Sequence, residues 1–277
     1  MRNLGYKTDC IFHRAVGSVT ERSNYFCVRN PDNPTYRWGN LLIYPSAPAK
    51  GDCQSWITDF RKEFGEQAPH VTFGWLTDGI GELEPFKLLG FEFESLVVLQ
   101  RYESYIDTQD LLNPHVQVRE ILSEQDWRKV VDLQYEVAKE NTQNLDGYLE
   151  FLIRKYKQYR SLQHRGIGTW FGIFEGSQLV ADMGLFWDKQ ENIARFQNIE
   201  TKISHRRRGL CSTLMDHVMM HSNMRQGIRN WVVVASPGSG AEQLYLNKGF
   251  SRISFQQGVC LPKPLLMETY LELCFQD

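Results

Sequence analysis

The stretch Ser204-His205-Arg206-Arg207-Arg208-Gly209-Leu210-Cys211 decides how the second half of this 277-residue chain is read. It joins a strand-like run at 193–203 to an amphipathic helix predicted over 209–225. That helix carries Leu210, Leu214 and Val218 on one face, with Met215 and Met219 beside them. The first amides of a helix have no internal partners, and the helix dipole adds partial positive charge there. Gly209 lets the backbone come close to a ligand, and the arginines add formal charge. The turn therefore has the parts of a phosphate or pyrophosphate site. A solvated basic turn ahead of a helix would show the same residues, so the turn alone does not separate the two readings.

Upstream, 116–122 alternates apolar and polar residues as a half-buried strand does. Ser123, with Asp126 three residues on, opens a helix in an acidic variant of the capping box. A second helix is predicted over 147–163. Strand-like runs at 169–174 and 179–187 precede the one at 193–203. The turn signals Glu175-Gly176-Ser177 and 188–192 between them imply an antiparallel meander. Downstream, 231–235 is a short apolar run suited to a buried central strand. A last helix starts at Ser239 or Gly240 and stops at Gly249, where a helix C-cap favours positive φ. One or two closing strands complete the chain. This order implies an α/β fold: a mixed, largely antiparallel sheet flanked by helices.

The buried strand is followed by Ala235-Ser236-Pro237-Gly238-Ser239-Gly240-Ala241-Glu242-Gln243-Leu244-Tyr245-Leu246-Asn247-Lys248-Gly249-Phe250. Taken with the arginine turn, this resembles the GCN5-related N-acetyltransferase (GNAT) superfamily. Arg206-x-x-Gly209-x-Cys211 is similar to that family's Q/R-x-x-G-x-G/A pyrophosphate loop. Ala241-x-x-x-Tyr245-x-x-x-Gly249-Phe250 resembles its last core helix and the turn that ends it. The resemblance spans residues 116–277 and departs from the pattern twice. Cys211 stands where the family prefers Gly or Ala, and Gly238 stands where many members carry Asn, so any contact from that Asn is either lost or taken over by Ser239.

The resemblance implies the acyl-CoA N-acyltransferase fold and direct transfer from acetyl-CoA, a co-substrate, to a primary amine. The acceptor is a small molecule or an amino group of a peptide or protein. The pantetheine would pair along Ile199, Thr201 and Ile203. The pyrophosphate would sit on the amides of Arg207, Arg208, Gly209, Leu210, Cys211 and Ser212, with Arg206 beside them. A backbone N–H near Ile199 would steady the oxyanion. Tyr245 matches the usual general acid, and a phenol with a pKa of ~10 stays protonated at neutral pH. Glu200 is the candidate base, acting directly or through a water. Asp182 and Asp188 are alternatives, and a structural glutamate is the competing reading. Alternation along the strand groups Phe196, Asn198 and Glu200 on one face, opposite Gln197 and Ile199. A non-catalytic acyl-CoA sensor or scaffold is the alternative function.

The first half repeats the pattern in shorter form. Strands are predicted at 40–44, 71–76 and 93–102 and helices at 53–64 and 82–89, with one or two more strands between 12 and 28. Pro85-Phe86-Lys87-Leu88-Leu89-Gly90-Phe91 sets Gly-Phe on Gly249-Phe250 and Phe86 on Tyr245. Where the pyrophosphate loop should stand is Pro45-Ser46-Ala47-Pro48-Ala49-Lys50-Gly51-Asp52. Its two prolines remove amide donors and it holds no arginine. The expected division is a degenerate GNAT-like domain at 1–112, supporting the fold or shaping the substrate cleft, and a catalytic domain at 113–277. The segment 103–115 is the linker, and one coenzyme is expected per chain.

Hydrophobic residues at 42%, charged residues at 23% and a net charge of -2 describe an ordinary globular protein. Its basic residues are not massed for nucleic acid or an anionic membrane. No apolar run approaches the ~20 residues of a membrane span, and the start lacks a signal-peptide core. Cys10, Cys27, Cys53, Cys211, Cys260 and Cys274 are scattered without a C-x-x-C pair, which reads as reduced thiols and a cytoplasmic protein. His217 and His221 lie four apart on a helix but have Val218 where a zincin glutamate would stand, so no metal is expected. The oligomeric expectation is a monomer or a homodimer.

Overall fold

The computed structural model describes residues 2–65, 68–103, 116–141 and 145–263. These fall into two compact units. The first takes Met1–Val98, Ala235–Pro237 and the chain from Ile253 on. The second takes Leu99–Val234 and Gly238–Arg252. The expected boundary near residue 112, the linker beyond Glu103 and Cys274 lie outside the described residues.

The first unit begins with a helix, α1 (Leu4–Val16), followed by β1 (Ser18–Glu21), β2 (Phe26–Arg29) and β3 (Leu41–Tyr44). Next come α2 (Asp52–Phe64), β4 (Val71–Trp75), α3 (Glu84–Leu88) and β5 (Glu92–Tyr102), whose last four residues belong to the second unit. Helix α1 takes residues 12–16 out of the segment expected to be strand. The Asn3 side chain caps it, accepting from the Tyr6 N–H. Tyr6, Cys10 and His13 then lie buried at helical spacing. Its anchors are remote in sequence: the Tyr6 hydroxyl donates to the Gln257 carbonyl at 2.7 Å and Asn3 Nδ2 to that of Phe255 at 2.7 Å. An aromatic core of Trp56, Phe60, Phe73, Trp75, Phe86 and Phe91 fills this unit, with Tyr44 stacked on Trp56.

The second unit runs β6 (Gln117–Glu120), α4 (Glu124–Asn141), α5 (Tyr148–His164), β7 (Gly168–Glu175), β8 (Gln178–Asp188), β9 (Ile193–Thr201), α6 (Leu210–Gln226), β10 (Asn230–Ala235) and α7 (Gly240–Asn247). Strands β7 to β9 form the expected antiparallel meander, β6 pairs antiparallel with β7, and β10 lies parallel to β9. Ser123 caps α4 through the Asp126 N–H at 3.1 Å, and Asp126 in turn receives both arms of Arg119. Strand β9 ends earlier than expected, at Thr201, because Ile203 opens a 3-10 turn. The closing strand β11 (Ser251–Leu261) pairs antiparallel with β4 in the first unit. Among the described pairings each unit is mixed and mostly antiparallel, with β3–β4 parallel in the first unit and β9–β10 in the second. Among the described residues no helix is long and apolar enough to cross a membrane.

Candidate functional site

Strands β9 and β10 start side by side, with Trp231 on Ala194 and Val232 on Arg195. Among the described pairings the ladder stops there, although β9 runs on to Thr201 and β10 beyond Val232. The two strands therefore part. The edge of β9 turned toward β10 is left with backbone donors and acceptors that the sheet does not use.

Within the same stretch β9 carries a bulge. Asp182 sits opposite Glu200 and Gly184 opposite Gln197, so two steps on β8 face three on β9. Asn198 takes up the extra residue with φ 48, in the left-handed region. The bulge reverses the alternation expected from the sequence. Glu200 shares its face with Gln197 and Asp182, whereas Phe196 pairs with Leu185 on the other face. The grouping of Phe196, Asn198 and Glu200 is thereby corrected. A single inserted residue leaves no trace in apolar–polar alternation, and only the choice of Asn, which tolerates φ > 0, hints at it.

Beyond β9 the chain turns through 203–209 into α6. Arg207 has φ 64 and Gly209, the N-cap, has φ 75. No side chain caps the helix, and the first intrahelical bond at this end is from the Thr213 N–H to the Gly209 carbonyl at 3.0 Å. The amides of Leu210, Cys211 and Ser212 thus remain for a ligand. A Cβ placed on Gly209 would meet nothing within 4 Å, so the space above the turn is open. Arg206 bonds the Thr201 carbonyl and Glu140, and Arg208 pairs with Glu175 at 2.6 Å. Arg207 has no ion-pair partner among the described residues. The turn concentrates amide dipoles and one uncommitted cation, which suits a phosphate ester. The Leu210 side chain is buried in the core, which leaves only its amide for such a role.

Tyr245 lies on α7, whose N-terminus is closed by a capping box. Ser239 accepts from the Glu242 N–H, and Glu242 from the Gly238 N–H. The Ser239 hydroxyl is therefore engaged in the helix start. The other end closes at Gly249, φ 78, with the Phe250 N–H reaching the Tyr245 carbonyl at 3.1 Å. Lys248 bonds Asp216 of α6, and Arg101 bonds the Lys248 carbonyl, fixing this helix end against its neighbours. The Tyr245 ring is buried, and its hydroxyl has no hydrogen-bond partner among the described residues.

Three titratable groups sense one another here. Burial holds the Tyr245 phenol well above its ordinary range, with Cys211 and Glu200 adding to the effect and Arg195 opposing it. Burial pushes the Cys211 thiol up to about 12, again with Glu200 adding. Glu200 itself is pushed up to about 7 by burial; Arg206 pulls it down and Glu140 pushes it up. Sequence reasoning missed Arg195, a buried cation within range of Tyr245, because an arginine in an apolar strand looks like any solvent-facing residue.

The other candidates fall away from this group. Asp188 accepts from the N–H groups of Gln190 and Glu191 and serves the β8–β9 turn. Asp182 is fully buried, desolvation raises its pKa well above the ordinary carboxylate range, and its Oδ1 is taken up by Gln134 and Trp170. His217 and His221 both lie edge-on to Phe171. Among the described residues no three metal-ligating side chains gather.

Neither family models nor curated proteins match this sequence. Solved structures do, along nearly its whole length. A functionally unknown conserved protein from Staphylococcus epidermidis is 15% identical, with a TM-score of 0.70 over 88% of this chain and 93% of that one. A GCN5-related N-acetyltransferase from Kribbella flavida is 10% identical, with a TM-score of 0.64 over 95% and 96%. A tandem GNAT protein from the clavulanic acid biosynthesis pathway is 10% identical, with a TM-score of 0.54 over 82% and 81%. The fold is therefore that of the tandem GCN5-related N-acetyltransferases.

Proposed function

We propose that the second unit is an acyl-coenzyme A-dependent N-acetyltransferase centre acting on a primary amine. The observation that carries this reading is the parting of β9 and β10 in the same unit as the uncapped start of α6. An unpaired strand edge offers hydrogen bonds to the amides of a pantetheine arm, and the 206–212 turn offers them to a pyrophosphate. Acetyl-CoA would supply the acetyl group as a thioester, a carbon already activated toward amines.

The chain's own groups divide the remaining work. Glu200, poised at about 7, takes a proton from the ammonium or from the attacking nitrogen. The edge amides at the bulge meet the carbonyl oxygen as negative charge develops on it. A new C–N bond forms, the C–S bond breaks, and the departing sulfur takes a proton from the Tyr245 hydroxyl. Burial keeps that hydroxyl protonated throughout the neutral range, so Tyr245 enters as a donor.

Calorimetry with acetyl-CoA, followed by free-thiol release over a panel of primary amines, tests both halves of the proposal. Binding and amine-dependent thiol release are expected. Absence of binding at millimolar coenzyme would overturn the whole reading. Binding without release on any amine would overturn the transfer and leave a coenzyme sensor.

A further inference from the structure

The bulge in β9 is held by a set of buried side chains that the proposed chemistry does not use directly. Gln134, on α4, spends both N–H groups of its amide there: one donates to Asp182 Oδ1 at 2.8 Å, the other to the Asn198 carbonyl at 3.2 Å. The Asn198 side chain is gripped as well, donating to the Tyr156 hydroxyl at 3.0 Å and lying 3.4 Å from Lys155 Nζ. A left-handed non-glycine residue costs on the order of 1 kcal/mol or more, and such strain persists where the surroundings over-determine it.

Asp182 completes the arrangement from behind. Its Oδ1 accepts from Gln134 and from Trp170 Nε1 at 3.3 Å, while Oδ2 is buried without a partner among the described residues. Desolvation raises its pKa well above the ordinary carboxylate range, while the two donors on Oδ1 pull it down. The Trp170 ring reaches this position because Gly184 has no side chain: a Cβ there would lie 2.3 Å from the ring. Asp182 thus orients Gln134, and Gln134 orients the backbone.

The direction matters because of peptide geometry. The Asn198 carbonyl and the Ile199 N–H share one trans peptide and point opposite ways. A carbonyl pulled onto Gln134 turns the Ile199 N–H away from α4. We infer that Gln134, backed by Asp182, is a positioning residue that aims the Ile199 N–H at the thioester carbonyl; the inference rests on the coenzyme reading above.

The test compares acetyl-CoA with coenzyme A, which lacks the thioester carbonyl, by calorimetry on the full chain. Wild type is expected to bind acetyl-CoA roughly three- to tenfold more tightly, the worth of one hydrogen bond. Gln134→Met, similar in length but without donors, is expected to bring the two ligands to parity while coenzyme A affinity holds. Adding Asn198→Gly, which reaches positive φ unaided, is expected to restore the preference. As a single change, Asn198→Gly should keep the preference and Asn198→Val should lose it. Asp182→Asn, which preserves the acceptor, should keep it too.

A wild type without preference, a Gln134→Met variant that retains it, or a double variant that unfolds like wild type yet does not recover would each overturn the inference. Wild type binding neither ligand would instead overturn the coenzyme reading itself.

Discussion

Helix α2 of the first unit and helix α6 of the second start alike. Gly51 and Gly209 stand at their N-caps with φ 88 and 75, and neither helix has a side-chain cap. The surroundings differ. Before α2 the Asp52 carboxylate turns back to accept the Ala49 N–H at 2.8 Å, placing a negative charge of the chain's own where an anion would bind. The segment 77–82 closes over that turn: Thr77 accepts the Ala47 N–H, the Glu82 N–H reaches the Pro48 carbonyl, and Gly81 packs on Pro48. Before α6 stand three arginines instead, while a Cβ on the N-cap glycine would meet nothing within 4 Å in either helix.

The parallel strand pairs differ in the same sense. Strands β3 and β4 stay paired through Tyr44 and Trp75, and the Leu76 N–H then donates to the Tyr44 carbonyl at 3.1 Å. Strands β9 and β10 separate after two pairs. Phe86, the counterpart of Tyr245, is locked among Trp56, Phe73 and Phe91. One architecture is thus a packed core in one unit and, on the proposed reading, a coenzyme site in the other. What separates them is local: the charge beside the helix start, a strand edge and one hydroxyl.

The largest expected effect removes that hydroxyl. Tyr245→Phe should lower kcat for amine acetylation roughly 100-fold or more, the scale of a lost general acid, with the KM for acetyl-CoA nearly unchanged. The converse change, Phe86→Tyr, should create no activity. By burying an unpaired hydroxyl it should cost about 1–3 kcal/mol of stability, read from urea unfolding. Next comes the glycine at each N-cap. Gly209→Val forces a β-branched residue to positive φ and fills the space over the turn, so acetyl-CoA should bind roughly tenfold weaker or worse. Gly51→Val should change stability alone.

Acidity gives a third handle. With Glu200 at about 7, kcat/KM should climb about tenfold per pH unit below pH 7 and level off above it, and Glu200→Gln should abolish that limb. The same shift has a sign for stability. The folded state holds the proton more tightly than the unfolded chain, so stability falls as pH rises from the ordinary 4.5 toward about 7. Glu200→Gln should flatten that fall in a pH series of thermal unfolding. The smallest expected effect is Asp52→Ala, costing about 0.5–1 kcal/mol through the lost turn bond. It should gain no coenzyme binding, since the prolines and the 77–82 segment remain.

Much of this was legible in the sequence because it is local. Gly209 and Gly249 mark a helix start and a helix stop, and the 169–201 meander is written in alternation and turn residues. The arginine turn needed no tertiary information either. Other features depend on partners far along the chain. Helix α1 presents the polar Thr8 and His13 to its buried side, which blurs its period, and its hydrogen bonds reach residues 255 and 257. The pairing of β11 with β4 cannot be read from either strand. The parting of β9 from β10 and the bulge at Asn198 are matters of register, which residue types do not encode. Gln134 is a buried polar residue on α4 whose two acceptors, Asp182 and the Asn198 carbonyl, lie far along the chain.

The most direct test is a calorimetric titration of the full chain with acetyl-CoA, run on wild type and on Gly209→Val. One molecule bound per chain, weakened severely by Gly209→Val, is the expected result. Two molecules per chain, or one whose binding Gly209→Val leaves untouched, would contradict a single coenzyme site at the start of α6.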